Sequence, residues 1–169
     1  QHSYQISADA KYAIHSFENA QTPRRISLID LSTHKEIKLL EDNTALKARI
    51  SELGLRPKEF IKVDIGPVVL DAWMIKPIQF DPQKKYPVIF HVYGEPAGST
   101  VQDNWGTGDN MWHQYLANEL GCIVISVDNR GTKVPRGRDF RKCIYRQIGL
   151  LAADDQAAAA KKIMQTYPF

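Results

Sequence analysis

The chain has no apolar run near the ~20 residues of a membrane-spanning helix. Its longest apolar stretches are strand-sized, as in Cys122-Ile123-Val124-Ile125-Ser126-Val127. The first residues, Gln1 to Ile14, lack the basic start and long apolar centre of a secretion signal. If the protein is exported, its signal lies outside these 169 residues. Cysteine is scarce. Cys122 and Cys143 stand far apart with no histidine cluster near them, which excludes a disulfide framework and a Cys/His metal site and predicts two unpaired thiols. Nor is there a large excess of one charge: 22 Lys and Arg against 19 Asp and Glu leave a net charge of +3, a weak pull on polyanions. What remains is 43% hydrophobic and 24% charged, the balance of a soluble globular protein with one sizeable core or a core plus a small appendage.

Strand-like runs at 11–17, 24–31 and 35–40 are separated by turn-rich residues at 18–23 and 32–34. They predict an antiparallel meander of three or four strands. Alone it is too small to bury both faces, so it belongs to a larger all-β array such as a propeller, of which one blade-like copy is present. Residues 41–55 are predicted helical, with Asn43 or Thr44 as the cap, Leu46, Ile50 and Leu53 on one face, and Gly54 at the end. The expected division is 1–40 as the end of a propeller, 41–57 as a linker helix, and 58–169 as an α/β domain.

In that second part a hairpin, 59–65 and 68–77, turns at Gly66-Pro67. Strands at 86–93 and 122–128 are apolar on both faces, which suits a sheet covered on both sides. The helix between them, 111–120, is expected to pack through Trp112, Tyr115 and Leu116 and to end at Gly121. Two strands joined by such a crossover form a βαβ unit and lie parallel, as neighbours or near-neighbours. A loop at 129–149 leads to a last helix from about Ala152, with Ala153, Ala157, Ala160 and Met164 as a stripe that lies flat on the sheet. The fold class is α/β, the first half of an open sheet, preceded by a short β meander.

Ligands of open α/β sheets bind at the carboxyl ends of the strands. Tyr93 closes one such end and Asp128-Asn129-Arg130 the next, so both loops are expected to face one crevice. The run Val88 to Val92 stops abruptly at Tyr93-Gly94-Glu95-Pro96-Ala97-Gly98. Two readings of Tyr93 stand: an aromatic that covers the sheet end, or a phenol that the turn aims at a site.

Several stretches bear on that choice. KKYPVIFHVYGEPAG (84–98) resembles the strand and turn that supply the oxyanion hole in the prolyl oligopeptidase family of serine peptidases. ISVDNRGT (125–132) resembles that family's next strand with its Asp-x-Arg-Gly turn, and IGLLAADDQAAAAKKI (148–163) resembles the helix that follows. LLEDNTALKARI with FDPQKKYPV narrows the resemblance to the dipeptidyl peptidase IV branch, where the last propeller blade runs through a helix into an α/β-hydrolase domain. The resemblance covers nearly the whole chain, densest over 86–156 and thin before residue 35.

The resemblance implies that Tyr93 directs its hydroxyl at the carbonyl oxygen of the scissile bond, beside a backbone N–H next to the nucleophile. Gly94, Asp128 and Arg130 would be structural residues near that site. At Glu95 the family commonly has glycine. If the position needs φ > 0, glutamate is strained there; otherwise it is an exposed loop substitution. The triad order Ser, Asp, His excludes His2, His15, His34, His91 and His113 as the base. No Gly-x-Ser-x-Gly elbow occurs, and the paired glutamates that hold a substrate's amino terminus are absent too.

The chain is therefore expected to be a middle piece of a longer, extracytoplasmic peptidase, inactive alone, whose parent releases dipeptides after Pro or Ala. Its partners would be a peptide substrate, the remainder of the same polypeptide and a second copy in a homo-oligomer. No metal, cofactor or nucleic acid is expected. The alternatives are an acylaminoacyl- or oligopeptidase-type enzyme, or a non-catalytic domain that binds an acidic partner through the loop 130–146.

That loop holds Arg130, Lys133, Arg136, Arg138, Arg141, Lys142 and Arg146, with only Phe140 and Tyr145 as aromatics, too few for nucleic-acid stacking. It is predicted to be solvated, with internal ion pairs, and Arg130 by resemblance ties its turn to neighbouring loops. Asp154, Asp155 and Gln156 are expected in the first turn of the last helix, where acids suit the dipole.

Overall fold

β-branched and aromatic side chains recur along residues 2–41 and favour extended backbone. In a computed structural model, which describes residues 1–169 with 107 and 108 as backbone only, they form β1 (His2–Ile6), β2 (Tyr12–Asn19), β3 (Thr22–Asp30) and β4 (Glu36–Glu41). These pair antiparallel in chain order. The meander has four strands. The extra one, β1, is exposed at every position, and so lacks the alternation that marks a half-buried strand. Ala13 and Ile29 face each other across the β2–β3 register and are both buried, next to Ser27. The segment Asp103–Met111 belongs to the same compact unit as Gln1–Pro57. The Asp103 carboxylate accepts a 2.8 Å bond from the backbone N–H of Ala20, and Trp105 is buried.

Helix α1 (Thr44–Glu52) ends before Gly54, whose φ of +60° suits glycine. Its start differs from expectation. Asn43 adopts a left-handed φ of 56° and gives no side-chain cap. Asp42 takes that role, accepting from the N–H of Thr44 at 2.9 Å. The predicted apolar face of Leu46, Ile50 and Leu53 is not buried in this chain.

The second unit, Lys58–Gln102 with Trp112–Phe169, contains β5 (Glu59–Asp64), β6 (Val69–Ile75), β7 (Val88–His91) and β8 (Ile123–Asp128). The sheet order is β5-β6-β8-β7. β5 and β6 form the expected hairpin about Gly66, β6 and β8 are antiparallel, and β7 and β8 are parallel neighbours, as the crossover predicted. All six residues of β8 are buried. Each fully buried Ile or Val there contributes roughly 1.5–3 kcal/mol relative to exposure, so the sheet is pinned at its centre. β7 is only four residues long and at best half-buried, not covered on both sides as its composition suggested. It pairs through one edge only.

Helices α2 (Thr107–Glu119), α3 (Gly137–Lys142) and α4 (Leu150–Thr166) complete the chain. α4 packs with Leu70, Ala72, Met74, Ile125 and Val127, while Ala117 of α2 packs with Trp73, Ile75 and Val124. Both helices are rotated from the expected faces. α4 begins two residues earlier and buries Ala152, Asp155, Ala159 and Ile163, leaving Ala153, Ala157 and Met164 exposed. A stripe of alanines marks several faces equally well, and the sheet selects the one with Ile163 at its far end. Asp154, Asp155 and Gln156 consequently fall beyond the first turn, so a dipole role does not account for them. On α2, His113, Gln114 and Ala117 are buried and Leu116 packs against the core as expected, whereas Trp112 and Tyr115 stand in solvent and stack on each other at 5.6 Å. The stretch 129–149 is not all loop, because α3 interrupts it. Both cysteines are free, and burial pushes the Cys122 thiol above its usual range.

Candidate active site

The chain leaves β7 through Val92, Tyr93 and Gly94. Gly94 turns it with φ +78°, a conformation costly for any other residue. Glu95 is exposed and lies outside the left-handed region, so the backbone does not require glycine there. Tyr93 is 51% exposed, and its hydroxyl makes no hydrogen bond among the described residues. Within this chain Tyr93 thus presents an unused donor.

Behind the turn, β8 ends in Asp128, which is buried and accepts four hydrogen bonds from one short segment. Ser99 Oγ donates at 2.6 Å, the Thr100 N–H at 2.9 Å, Thr100 Oγ1 at 3.1 Å and the Val101 N–H at 3.3 Å. Trp73 Nε1 donates to the Thr100 carbonyl at 2.8 Å, and Ser126 Oγ donates to the His91 carbonyl at 2.6 Å. The Lys133 N–H adds a 3.3 Å bond to the Gly98 carbonyl. The turn after Tyr93 is therefore fastened to both core strands. The stretches that follow Tyr93 and Arg130 share a cleft of about 250 Å³, lined by Pro96, Gly131, Thr132, Lys133, Arg141 and Lys142, whereas Tyr93, Asp128, Asn129 and Arg130 themselves are not in its lining.

Arg130 is fixed from the other side. Asp155, 1% exposed, receives the Arg130 N–H at 2.8 Å, Nε at 3.0 and 3.1 Å, and Nη2 at 2.6 Å. The carboxylate's hydrogen bond drives the guanidinium further above its already high range, so it stays charged. Among the described residues, Arg130 thus ties its turn to α4. Gln156 reinforces the link by donating to the Val127 carbonyl at 2.7 Å. The other ion pair of the basic loop also points outward, from Arg136 to Asp71 at 3.6 Å. Internal pairs in that loop do not form among the described residues.

Two histidine groups are assembled by the fold without any local sequence signal. His91 and His113 lie 4.6 Å apart, with His113 5.1 Å from Trp73. On the meander, cross-strand pairing brings His2 Nδ1 within 2.9 Å of His15 Nε2, with the His34 ring 5.3 Å from that of His15. Burial and the neighbouring imidazoles push His15 below the usual range. No group of three His, Cys, Asp or Glu residues has metal-holding geometry among the described residues. No helix is long and apolar enough to cross a membrane among them.

The chain is similar in sequence and fold to several known proteins. Residues 108–169 match the family model described as the prolyl oligopeptidase family. The crystal structure of Porphyromonas gingivalis dipeptidyl peptidase 4 is similar with a TM-score of 0.91 and 38% identity, over 99% of this chain and 23% of that one. The probable dipeptidyl peptidase 4 of Emericella nidulans is 34% identical over 95% of this chain and 21% of its own length. The prolyl endopeptidase FAP of Homo sapiens is 34% identical over 82% of this chain and 18% of its own. The chain thus spans about a fifth of the length of the proteins it matches.

Fold and strand-end site together define the end of a β-propeller followed by an α/β-hydrolase sheet. The chain belongs to the prolyl oligopeptidase family, in its dipeptidyl peptidase IV-like branch.

Proposed function

We propose that the full-length protein is a serine peptidase that releases N-terminal dipeptides with Pro or Ala in the second position, and that Tyr93 is one of its two oxyanion donors. The observation that carries this reading is the unbonded phenol at the end of a parallel strand, above a turn fastened by Asp128. In acyl transfer a serine oxygen attacks the scissile carbonyl, whose oxygen gains negative charge. A preorganised O–H stabilises that charge more than it stabilises the neutral carbonyl. The names of the relatives, dipeptidyl peptidase 4 and prolyl endopeptidase, support the substrate class. On this reading the nucleophile, its Asp and His partners and the glutamates that bind the amino terminus come from other parts of the polypeptide. Residues 1–169 do not catalyse alone.

The test is hydrolysis of a Gly-Pro chromogenic amide by the purified full-length protein, with and without a serine-reactive phosphonate. Turnover that the phosphonate abolishes is expected. No turnover, or turnover indifferent to the reagent, contradicts the reading.

The same reading divides the chain into propeller end (1–40), linker helix (41–57) and hydrolase half (58–169), and places the protein outside the cytoplasm as a homo-oligomer. The open edge of β7 and an apolar groove of about 450 Å³, lined by Val88, Phe90, Ile163, Tyr167 and Phe169 among others, favour self-association of the 169-residue chain. Light scattering over a concentration series is expected to show species larger than a monomer. A monomer at every concentration, with one cooperative unfolding transition, contradicts it.

A further inference from the structure

We propose that Gly98 is a positioning residue for Tyr93: the missing side chain at 98 lets the phenol ring lie against the backbone, and the Asp128 clasp holds that backbone in place. The inference rests on the oxyanion reading of Tyr93. A Cβ added at Gly98 would stand 3.0 Å from Tyr93 Cε1 and 3.4 Å from both Cδ1 and Cζ. One edge of the ring therefore lies so near the backbone that a methyl group at 98 would push it away by a few tenths of an ångström. Half the Tyr93 surface is open and its hydroxyl is unbonded among the described residues, so this contact sets the angle at which the O–H points.

The floor beneath the ring is stiff. The Gly98 carbonyl accepts from the Lys133 N–H, and the next three residues donate to the single carboxylate of Asp128. With so fixed a backbone, a methyl group at 98 is relieved by movement of the ring and not of the chain. Gly98 itself does not need glycine's conformational freedom. Its φ lies outside the left-handed region, in contrast to Gly94 at +78°. The glycine is there for the ring, and Gly98→Ala displaces the phenol without straining the backbone.

The experiment is a kinetic double-mutant cycle in the full-length protein on a Gly-Pro chromogenic amide, with melting curves for each variant. Gly98→Ala is expected to lower kcat about 10-fold, since misplacement by ~1 Å can cost about 10²-fold and the shift here is smaller. KM should stay within about twofold, because the donor acts mainly in the transition state. In a Tyr93→Phe background the same substitution should change kcat by less than about twofold, since no hydroxyl remains to misplace. Ser99→Ala, which loosens the clasp without touching the ring, should lower kcat a few-fold in the parent and not in the Phe background. Equal losses in both backgrounds, or an unchanged kcat for both Gly98→Ala and Ser99→Ala, overturn the inference. If Tyr93→Phe alone leaves kcat unchanged, the oxyanion reading fails and the inference with it. If Tyr93→Phe lowers kcat while the other two do not, only the positioning role falls.

Discussion

Tyr93→Phe in the full-length protein is expected to lower kcat on a Gly-Pro amide by about 10²–10³-fold, the loss typical of one oxyanion donor. The change deletes a single oxygen. The ring keeps its place against Gly98, and the removed hydroxyl has no internal partner to leave stranded among the described residues, so the melting curve should hardly move. KM should change far less than kcat, because the neutral carbonyl of bound substrate has less need of the donor than the oxyanion does. The opposite pattern, kcat within a few-fold and melting unaltered, would return Tyr93 to the role of an end-of-strand aromatic. Steady-state kinetics beside a thermal melt separate the two.

Asp155→Ala should be the most destabilising single truncation near the site. The carboxylate is buried and receives four donor–acceptor contacts, all from Arg130. Removing it strands a guanidinium and a backbone N–H. Breaking a buried ion pair from one side costs about 3–5 kcal/mol. The Arg130 side chain retains 25% exposure and can recover some solvation, which favours the lower end of that range. The cause is testable, because an uncompensated charge is relieved by removing the other charge. Adding Arg130→Met to Asp155→Ala should recover part of the loss, though not the bond to the Arg130 N–H. Denaturant unfolding of the single and double variants measures both. A loss below about 1 kcal/mol for Asp155→Ala, or a double variant worse than the single, contradicts this account of the pair.

The sequence made legible what depends on local patterns. The meander, the Gly66 hairpin, the parallel pairing of β7 with β8 and the exposed turn at Tyr93 all follow from alternation, turn residues and crossover length. What it concealed depends on which face a neighbour selects. Ala152, Asp155, Ala159 and Ile163 are buried in place of the adjacent alanine stripe, because alanines on every side of α4 leave its rotation to the sheet. Trp112 and Tyr115 looked like a packing face, yet the smaller Ala117 is what fits beneath the helix beside Val124. Asp155 appeared to be a dipole residue since its partner, Arg130, lies 25 positions away. The Asp128 clasp was likewise hidden. Asp128 was visible as a strand-end residue, but its four donors sit in a polar stretch, Ser99 to Val101, that reads as ordinary loop. Long-range polar pairing leaves no periodicity in a sequence, and that is where the candidate site is built.

The most direct test of Tyr93 as an oxyanion donor compares two inhibitors on the full-length protein and its Tyr93→Phe variant. A dipeptide boronate forms a tetrahedral, negatively charged adduct with a serine nucleophile, while the matching neutral amide does not. The account predicts that the variant binds the boronate about 10²–10³-fold more weakly and the amide within about threefold of the parent, because the phenol bonds to the charge and not to the substrate as such. Equal affinities of parent and variant for the boronate would contradict it.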